Sequence, residues 1–194
     1  GCDKMKTLII NGSSRKNGNT EALVKEMIEN LDGEIRTISM YSNISPCIDC
    51  RYCWKNPGCS IRDDMQDIYP YYEECDNIVL ASPTWFSSLS GPTINIVSRF
   101  QTYFAGRIFR KEKIDIKPKN GVIIIVGAMP GTHVIPTQSA TVMMSFLKVR
   151  RPFLATIYSL DTDKVPASQD IAAIEQVRKA ARELNEAAGA PPVK

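Results

Sequence analysis

"KTLIINGSSRKNGNTEALVKEMIENL", residues 6–31, is the stretch on which the fold turns. Residues 6–11 form an apolar run of strand length that stops at Gly12. Residues 20–31 place Leu23, Val24, Met27, Ile28 and Leu31 on one face of an amphipathic helix. The loop between them is too rich in glycine, serine and asparagine to continue either element. Strand, polar loop and helix, in that order, open an α/β unit.

The same alternation runs on. Strands are expected at 34–40, 77–85, 121–127 and 153–160, with "GVIIIVGAMPG" (121–131) apolar enough for a central parallel strand covered on both faces. In "IRDDMQDIYPYYEEC" the Asp63/Asp64 pair precedes a helix, Asp63 and Gln66 have the spacing of a capping box, and Pro70 weakens the later turns. Ile96, Val97, Phe100 and Phe104 fall at helical spacing, a further helix is expected near 138–148, and Ile171, Ile174, Val177, Ala181 and Leu184 line the last. Five strands alternating with helices predict an α/β open parallel sheet with helices on both faces. The boundaries are one domain over 5–188, carrying a cysteine-rich loop at 45–64, and a frayed tail at 189–194.

At 194 residues the chain is long enough to build a core without disulfide staples. No apolar run reaches membrane-spanning length. "GCDKMKTLIINGSS" passes from lysines into the first strand without a secretory pattern, so a cytoplasmic protein is expected and stable disulfides are not. The net charge of +3 is mild, and the basic residues form no stripe with interleaved aromatics, which argues against a nucleic-acid partner. Arg107, Arg110, Lys111, Lys113, Lys117 and Lys119 read as a solvated surface.

In an open parallel sheet, ligands bind outside the carboxyl ends of the strands. Three loops lie there. "NGSSRKNGNT" (11–20) offers hydroxyls at Ser13, Ser14 and Thr20, amides at Asn17 and Asn19, a cation at Arg15, and Gly12 and Gly18 for close backbone approach. It matches neither the dinucleotide fingerprint nor the P-loop, and without the P-loop lysine it suits a terminal monophosphate. The competing reading is a solvated turn that caps the helix. In "SPTWFSSLSGP" (82–92), Pro83, Trp85 and Phe86 could wall a planar ring while Thr84 supplies polar contact; alternatively the aromatics pack the next helix. In "GAMPGTH" (127–133), Gly127 and Gly131 permit close approach, and His133, the only histidine, reads as an ordinary surface or packed residue.

Cys47, Cys50, Cys53 and Cys59 fall within thirteen residues. A metal or iron–sulfur site, a redox dithiol and loop-closing disulfides all remain open on spacing alone. Zinc would accept the same four sulfurs. Cys75 reads as a separate, buried small hydrophobe.

Taken together, "GSSRKNGNT", "ASPTWFSSLSGP" and "CIDCRYCWKNPGCSIRDDM", with its C-x2-C-x2-C-x5-C spacing, resemble the flavodoxin-like NAD(P)H-dependent FMN reductase superfamily, in its iron–sulfur flavoprotein branch. The family's phosphate loop reads GSPRKNGNT, so Ser14 replaces the usual proline. The resemblance implies strand order 2-1-3-4-5, noncovalent FMN, and a dimer or tetramer. By carry-over the FMN phosphate falls to Ser13, Arg15, Asn19 and Thr20, with Ser14 and Asn17 at the loop's edge. Pro83, Thr84, Trp85 and Phe86 run along the ring, and Gly127, Ala128 and Gly131 close its far side. A [4Fe-4S] cluster falls to Cys47, Cys50, Cys53 and Cys59. Ser98-Arg99 stands where the family commonly has an aspartate–arginine pair, which leaves an acidic contact missing.

The activity implied is an FMN oxidoreductase and electron-transfer flavoprotein, with NAD(P)H as donor and electrons relayed between FMN and the cluster. No side chain is named as acid or base, because the flavin carries the chemistry. The alternatives are an NAD(P)H-dependent FMN, quinone or nitro-compound reductase without a cluster, and a non-catalytic electron carrier or scaffold. Redox partners would be small molecules or a one-electron protein carrier. Trp85, Phe86, Tyr103 and Phe104 exceed the needs of one pocket, which also suggests a homodimer.

Overall fold

In a computed structural model describing residues 4–149 and 155–187, β1 (Lys6–Asn11) sits between β2 (Glu34–Ser39) and β3 (Asn77–Trp85). Beyond β3 follow β5 (Asn120–Gly127) and β6 (Ala155–Leu160), giving the order β2-β1-β3-β5-β6 with every pairing parallel. The two-residue β4 (Ser88–Leu89) folds back antiparallel on β3. Leaving β4 aside, this is the expected 2-1-3-4-5 sheet.

The sheet is apolar on both faces, so neighbouring residues of one strand point into different cores. Leu8, Ile10, Ile78, Leu80, Ile123 and Ile125 face one side, against α3 (Met65–Glu74), α4 (Gly91–Ser98), α5 (Gln101–Ile108) and α6 (Val134–Phe146). Ile9, Val79, Ala81, Val122 and Ile124 face the other, against α1 (Asn19–Asn30) and α7 (Ile171–Ala187). A short α2 (Tyr52–Lys55) lies in the cysteine-rich loop. The chain winds one way from β1 to β2 and the other way from β3 onward, so the loops leaving β1 and β3 diverge from adjacent strand ends and open a crevice there. Among the described residues no helix is long and apolar enough to cross a membrane.

Several expectations are corrected. The residues at helical spacing, Ile96, Val97, Phe100 and Phe104, divide between two helices, α4 and α5, with Arg99 and Phe100 at the junction. The expected capping box does not form. Asp63 accepts from the Met65 N–H at 3.1 Å and from Arg99, while the Gln66 amide donates instead to the Ile61 carbonyl at 2.6 Å. The helix expected near 138–148 begins earlier, at Val134. Lys119 is no solvated cation: it is fully buried, and its Nζ donates to the Cys75 carbonyl at 2.9 Å. Cys75 is buried as expected, and burial pushes its thiol up to about 11. Cys2, the first two residues of the strand expected at 153–160, and the tail at 189–194 lie outside the described residues.

Candidate functional site

The loop after β1 is pinned before it can meet any ligand. The Gly12 N–H donates to the Ala81 carbonyl at 2.8 Å, and its own carbonyl accepts from Ser90 Oγ at 2.8 Å. A Cβ on Gly12 would lie 1.8 Å from Thr93 Oγ1. Gly12 therefore serves close packing of the loop against β3 and the start of α4. Ser13 is buried, with its N–H on Asn11 Oδ1 at 2.9 Å and its hydroxyl donating to the Arg15 carbonyl at 2.8 Å. These bonds curl residues 13–18 into a concave turn ahead of α1.

Helix α1 starts at Asn19 with Gly18 as N-cap and no side chain capping it. Its first N–H groups and the positive end of its dipole are thus left for an external acceptor. Thr20 is 3% exposed and its hydroxyl has no hydrogen-bond partner in the protein. That hydroxyl is open to the cleft, where a ligand oxygen can meet it. Asn19 commits its Oδ1 to the Ala167 N–H at 3.0 Å, which keeps its amide donor at the turn.

These groups line one cleft of about 290 Å³. It brings together Ser13, Ser14, Arg15, Asn19 and Thr20 from the first loop, Pro83, Thr84 and Trp85 from β3, and Ala128 after β5. Four sequence candidates are not in its lining. Asn17 faces an adjoining groove beside α1. Phe86 is fully exposed at the tip of the β3–β4 turn, where it and Ser87 both have positive φ. Gly127 stands behind the wall, where a Cβ would lie 2.9 Å from Thr132 Oγ1 and 3.2 Å from Thr84 Oγ1. Gly131, with φ of +88°, has open space around it.

Gly18, expected to allow close backbone approach, lines the cleft too, while Val126, Thr162 and Asp163 line it and were missed from sequence. The Thr162 N–H donates to the Gly127 carbonyl at 3.1 Å, tying the loop after β6 to the end of β5. That loop leaves a strand carboxyl end like the other three, which was the signal available. His133 is packed: its ring meets Tyr158 edge-on at 4.9 Å, and its Nδ1 is buried without a partner.

The cysteine-rich loop is held by Arg99. This guanidinium, with its side chain wholly buried, donates to Asp63 at 2.5 and 3.1 Å, to the Ser45 carbonyl at 2.8 Å and to Cys59 Sγ at 3.5 Å. The acidic contact expected to be missing beside Ser98-Arg99 is therefore supplied by Asp63, and Ser98 Oγ accepts from the Cys47 N–H at 3.1 Å. Burial pushes the Asp63 carboxyl up, but hydrogen bonds from Arg99 and the Ser45 N–H outweigh it and hold the carboxyl below the usual carboxylate range.

Cys47, Cys50, Cys53 and Cys59 line a single depression. The Ser60 hydroxyl, 3.2 Å from Cys50 Sγ, draws that thiol down, whereas burial pushes Cys53 up. Among the described residues no group of three or more His, Cys, Asp or Glu is gathered to hold a metal ion. A single tetrahedral zinc needs its sulfurs within about 4 Å of one another, given Zn–S bonds of about 2.3 Å. A four-iron cluster takes one cysteine per iron and tolerates a wider set. As they stand, the four thiols are gathered for neither. The enclosed space, about 20 Å³, is room for little more than one water, so such a cluster would require the loop to open.

Comparison with known proteins follows the same lines. The family model described as NADPH-dependent FMN reductase matches residues 5–155. An iron-sulfur flavoprotein of Methanocaldococcus jannaschii is 30% identical over 129 residues, 64% of this chain and 63% of that protein. An iron-sulfur flavoprotein of Archaeoglobus fulgidus is 31% identical over 149 residues, 74% of this chain and 63% of that protein. The chain thus spans less than two thirds of the length of both relatives. Among solved structures, a flavone reductase superposes with a TM-score of 0.64 at 17% identity, over 95% of this chain and 63% of that one, a likeness of fold.

Proposed function

Since the chain belongs to the NADPH-dependent FMN reductase family, we propose that it is an FMN-dependent oxidoreductase that takes electrons from NAD(P)H and passes them to a small organic acceptor. The observation that carries this reading is the cleft at the switch point, where an uncapped α1 and the unbonded Thr20 hydroxyl face a common space fit for an anionic oxygen.

The residues present fit FMN. Arg15, Thr20, the Asn19 amide and the first N–H groups of α1 would hold its phosphate, the helix dipole adding to the Arg15 charge. Thr162 and Asp163 would meet the polyol. Pro83, Thr84, Trp85, Val126 and Ala128 would line the ring, with Trp85 excluding water from one side. Bound FMN supplies two-electron exchange with a nicotinamide and with an organic acceptor. The chain's contribution is to bind, orient and desolvate, and no side chain need act as acid or base. The reading is tested by titrating FMN into wild-type, T20A and R15A protein; unchanged affinity in both variants rules out this seat for the phosphate.

A second reading is favoured by the convergence of four thiols on one depression with an Arg99 donor to Cys59. Here Cys47, Cys50, Cys53 and Cys59 would hold a [4Fe-4S] cluster whose potential the Arg99 hydrogen bond helps to set, and the protein would join a two-electron donor to a one-electron carrier. Both relatives described above are named iron-sulfur flavoproteins. The narrow space makes this the second reading. Apolar side chains left exposed beside the cleft, including Phe86, Trp85, Val134 and Ile135, support assembly as a homo-oligomer.

A further inference from the structure

A second cavity, of about 330 Å³, opens on the opposite face of the sheet from α1, between α3, the α4–α5 break and α6. It shares no lining residue with the cleft at the strand ends and meets the cysteine depression only through Gln101. Its floor and walls are aromatic and aliphatic, with Phe100 and Tyr103 buried below and Phe146 half exposed at the mouth. Among the described residues no aspartate or glutamate lines it.

Two polar groups in this cavity are left without hydrogen bonds. Tyr72 is 1% exposed, yet its hydroxyl has no partner. Its neighbours are satisfied: Tyr69 donates to the Arg99 carbonyl at 3.0 Å, and Tyr103 donates to Glu73 at 2.8 Å. The Tyr72 hydroxyl is thus open to the cavity and free to bond a guest there. Arg107 lines the same cavity with no ion pair or hydrogen bond, close enough for its charge to act on the Tyr72 hydroxyl. Gln101 is exposed at the rim, where its amide can turn toward the cavity. An apolar pocket of this size with a few unsatisfied polar groups is the usual anatomy of a small-molecule site.

We propose that this cavity binds a small amphipathic aromatic anion, its planar body against Phe100 and Phe146 and its acidic group taken by Arg107 with help from Tyr72 and Gln101. Arg107 is the one charged side chain in the described lining and favours an anion; the nearest carboxylate, Glu73, lies behind the wall and accepts from the Tyr103 hydroxyl. The Tyr72 hydroxyl gains the partner it lacks. The site is independent of the flavin reading, because none of its residues touches the cleft.

The test uses the full chain saturated with FMN and 1-anilinonaphthalene-8-sulfonate as probe, followed by calorimetry. Binding of one probe per chain is expected. Arg107→Leu removes the charge and keeps an apolar stem, and should weaken binding roughly tenfold or more, the value of a charge-assisted contact. The uncharged N-phenyl-1-naphthylamine should bind more weakly and ignore that change. Val97→Trp, which fills the cavity, should abolish binding with FMN affinity retained; should that variant fail to fold, Arg107→Leu and the uncharged probe still decide. Absence of saturable binding, or binding indifferent to Arg107→Leu, overturns the proposal. So does sedimentation in which Val97→Trp splits a dimer, which would make the cavity the seat of a second copy.

Discussion

The Arg99 guanidinium grips the Asp63 carboxylate through two hydrogen bonds, with both side chains almost wholly withdrawn from water. This pair joins the cysteine-rich loop to the turn between α4 and α5, and a buried pair broken on one side leaves an uncompensated charge. Asp63→Ala should therefore cost about 3 kcal/mol or more in urea denaturation. The folded-state Asp63 carboxyl lies below its ordinary value, so its contribution is fully present above about pH 4 and is lost as pH falls through the folded value. The stability gap between wild type and Asp63→Asn should accordingly be widest near neutrality and close in acid. A gap that grows on acidification would refute the account of the pair.

Gly12 makes a sharper steric claim. Its substitution by alanine puts a methyl 1.8 Å from Thr93 Oγ1, inside a turn fixed at both ends by backbone bonds. We expect a loss of about 1–3 kcal/mol, the usual cost of overpacking, together with weaker FMN binding. Thr93→Ala in the same chain should restore part of both. If the Gly12→Ala protein melts like wild type, the loop is not packed as described.

For the phosphate seat, charge and hydrogen bonding separate by salt. Thr20→Ala should weaken FMN by roughly tenfold, since a donor to a charged group is worth about 1.5–3 kcal/mol. Arg15 is exposed, so the penalty for Arg15→Ala should shrink as ionic strength rises while that for Thr20→Ala persists. Equal salt dependence in the two variants would mean that Thr20 does not touch the phosphate.

The second reading of the cysteine loop is settled by composition. Anaerobically reconstituted protein holding a cluster should contain iron and acid-labile sulfide in near-equal amounts, both lost in Cys59→Ala and both retained in Cys75→Ala, whose thiol is buried elsewhere. Metal-free protein with wild-type flavin reduction would leave the thiols as a cover or a redox pair. FMN binding should survive loss of any cluster, because the cleft and the depression share no residue.

The elements read most easily from sequence were those whose pattern is local. The run 6–31 announces β1, its loop and α1 through periodicity and composition alone, and the buried strands 77–85 and 121–127 announce themselves as apolar runs. What escaped depends on partners distant in sequence. Asp63 has the spacing of a cap, yet it serves Arg99, thirty-six residues on, and nothing nearby in sequence signals that choice. Lys119 sits in a basic stretch but folds inward to a carbonyl. Phe86 has the right chemistry for a ring wall, and the positive φ of the turn carries it outward. Thr162 and Asp163 are ordinary polar residues until β6 places them beside β5.

A flavin seated in the cleft should be reducible by a nicotinamide. The most direct measurement is anaerobic titration of FMN-saturated protein with NADPH and with NADH, following the flavin absorbance. Free FMN added to the apoprotein should be retained through gel filtration, and about one equivalent of at least one nucleotide should bleach it, since each nucleotide delivers the two electrons that one flavin accepts. Protein that fails to retain FMN, or that retains it unbleached by excess of both nucleotides, would contradict this reading.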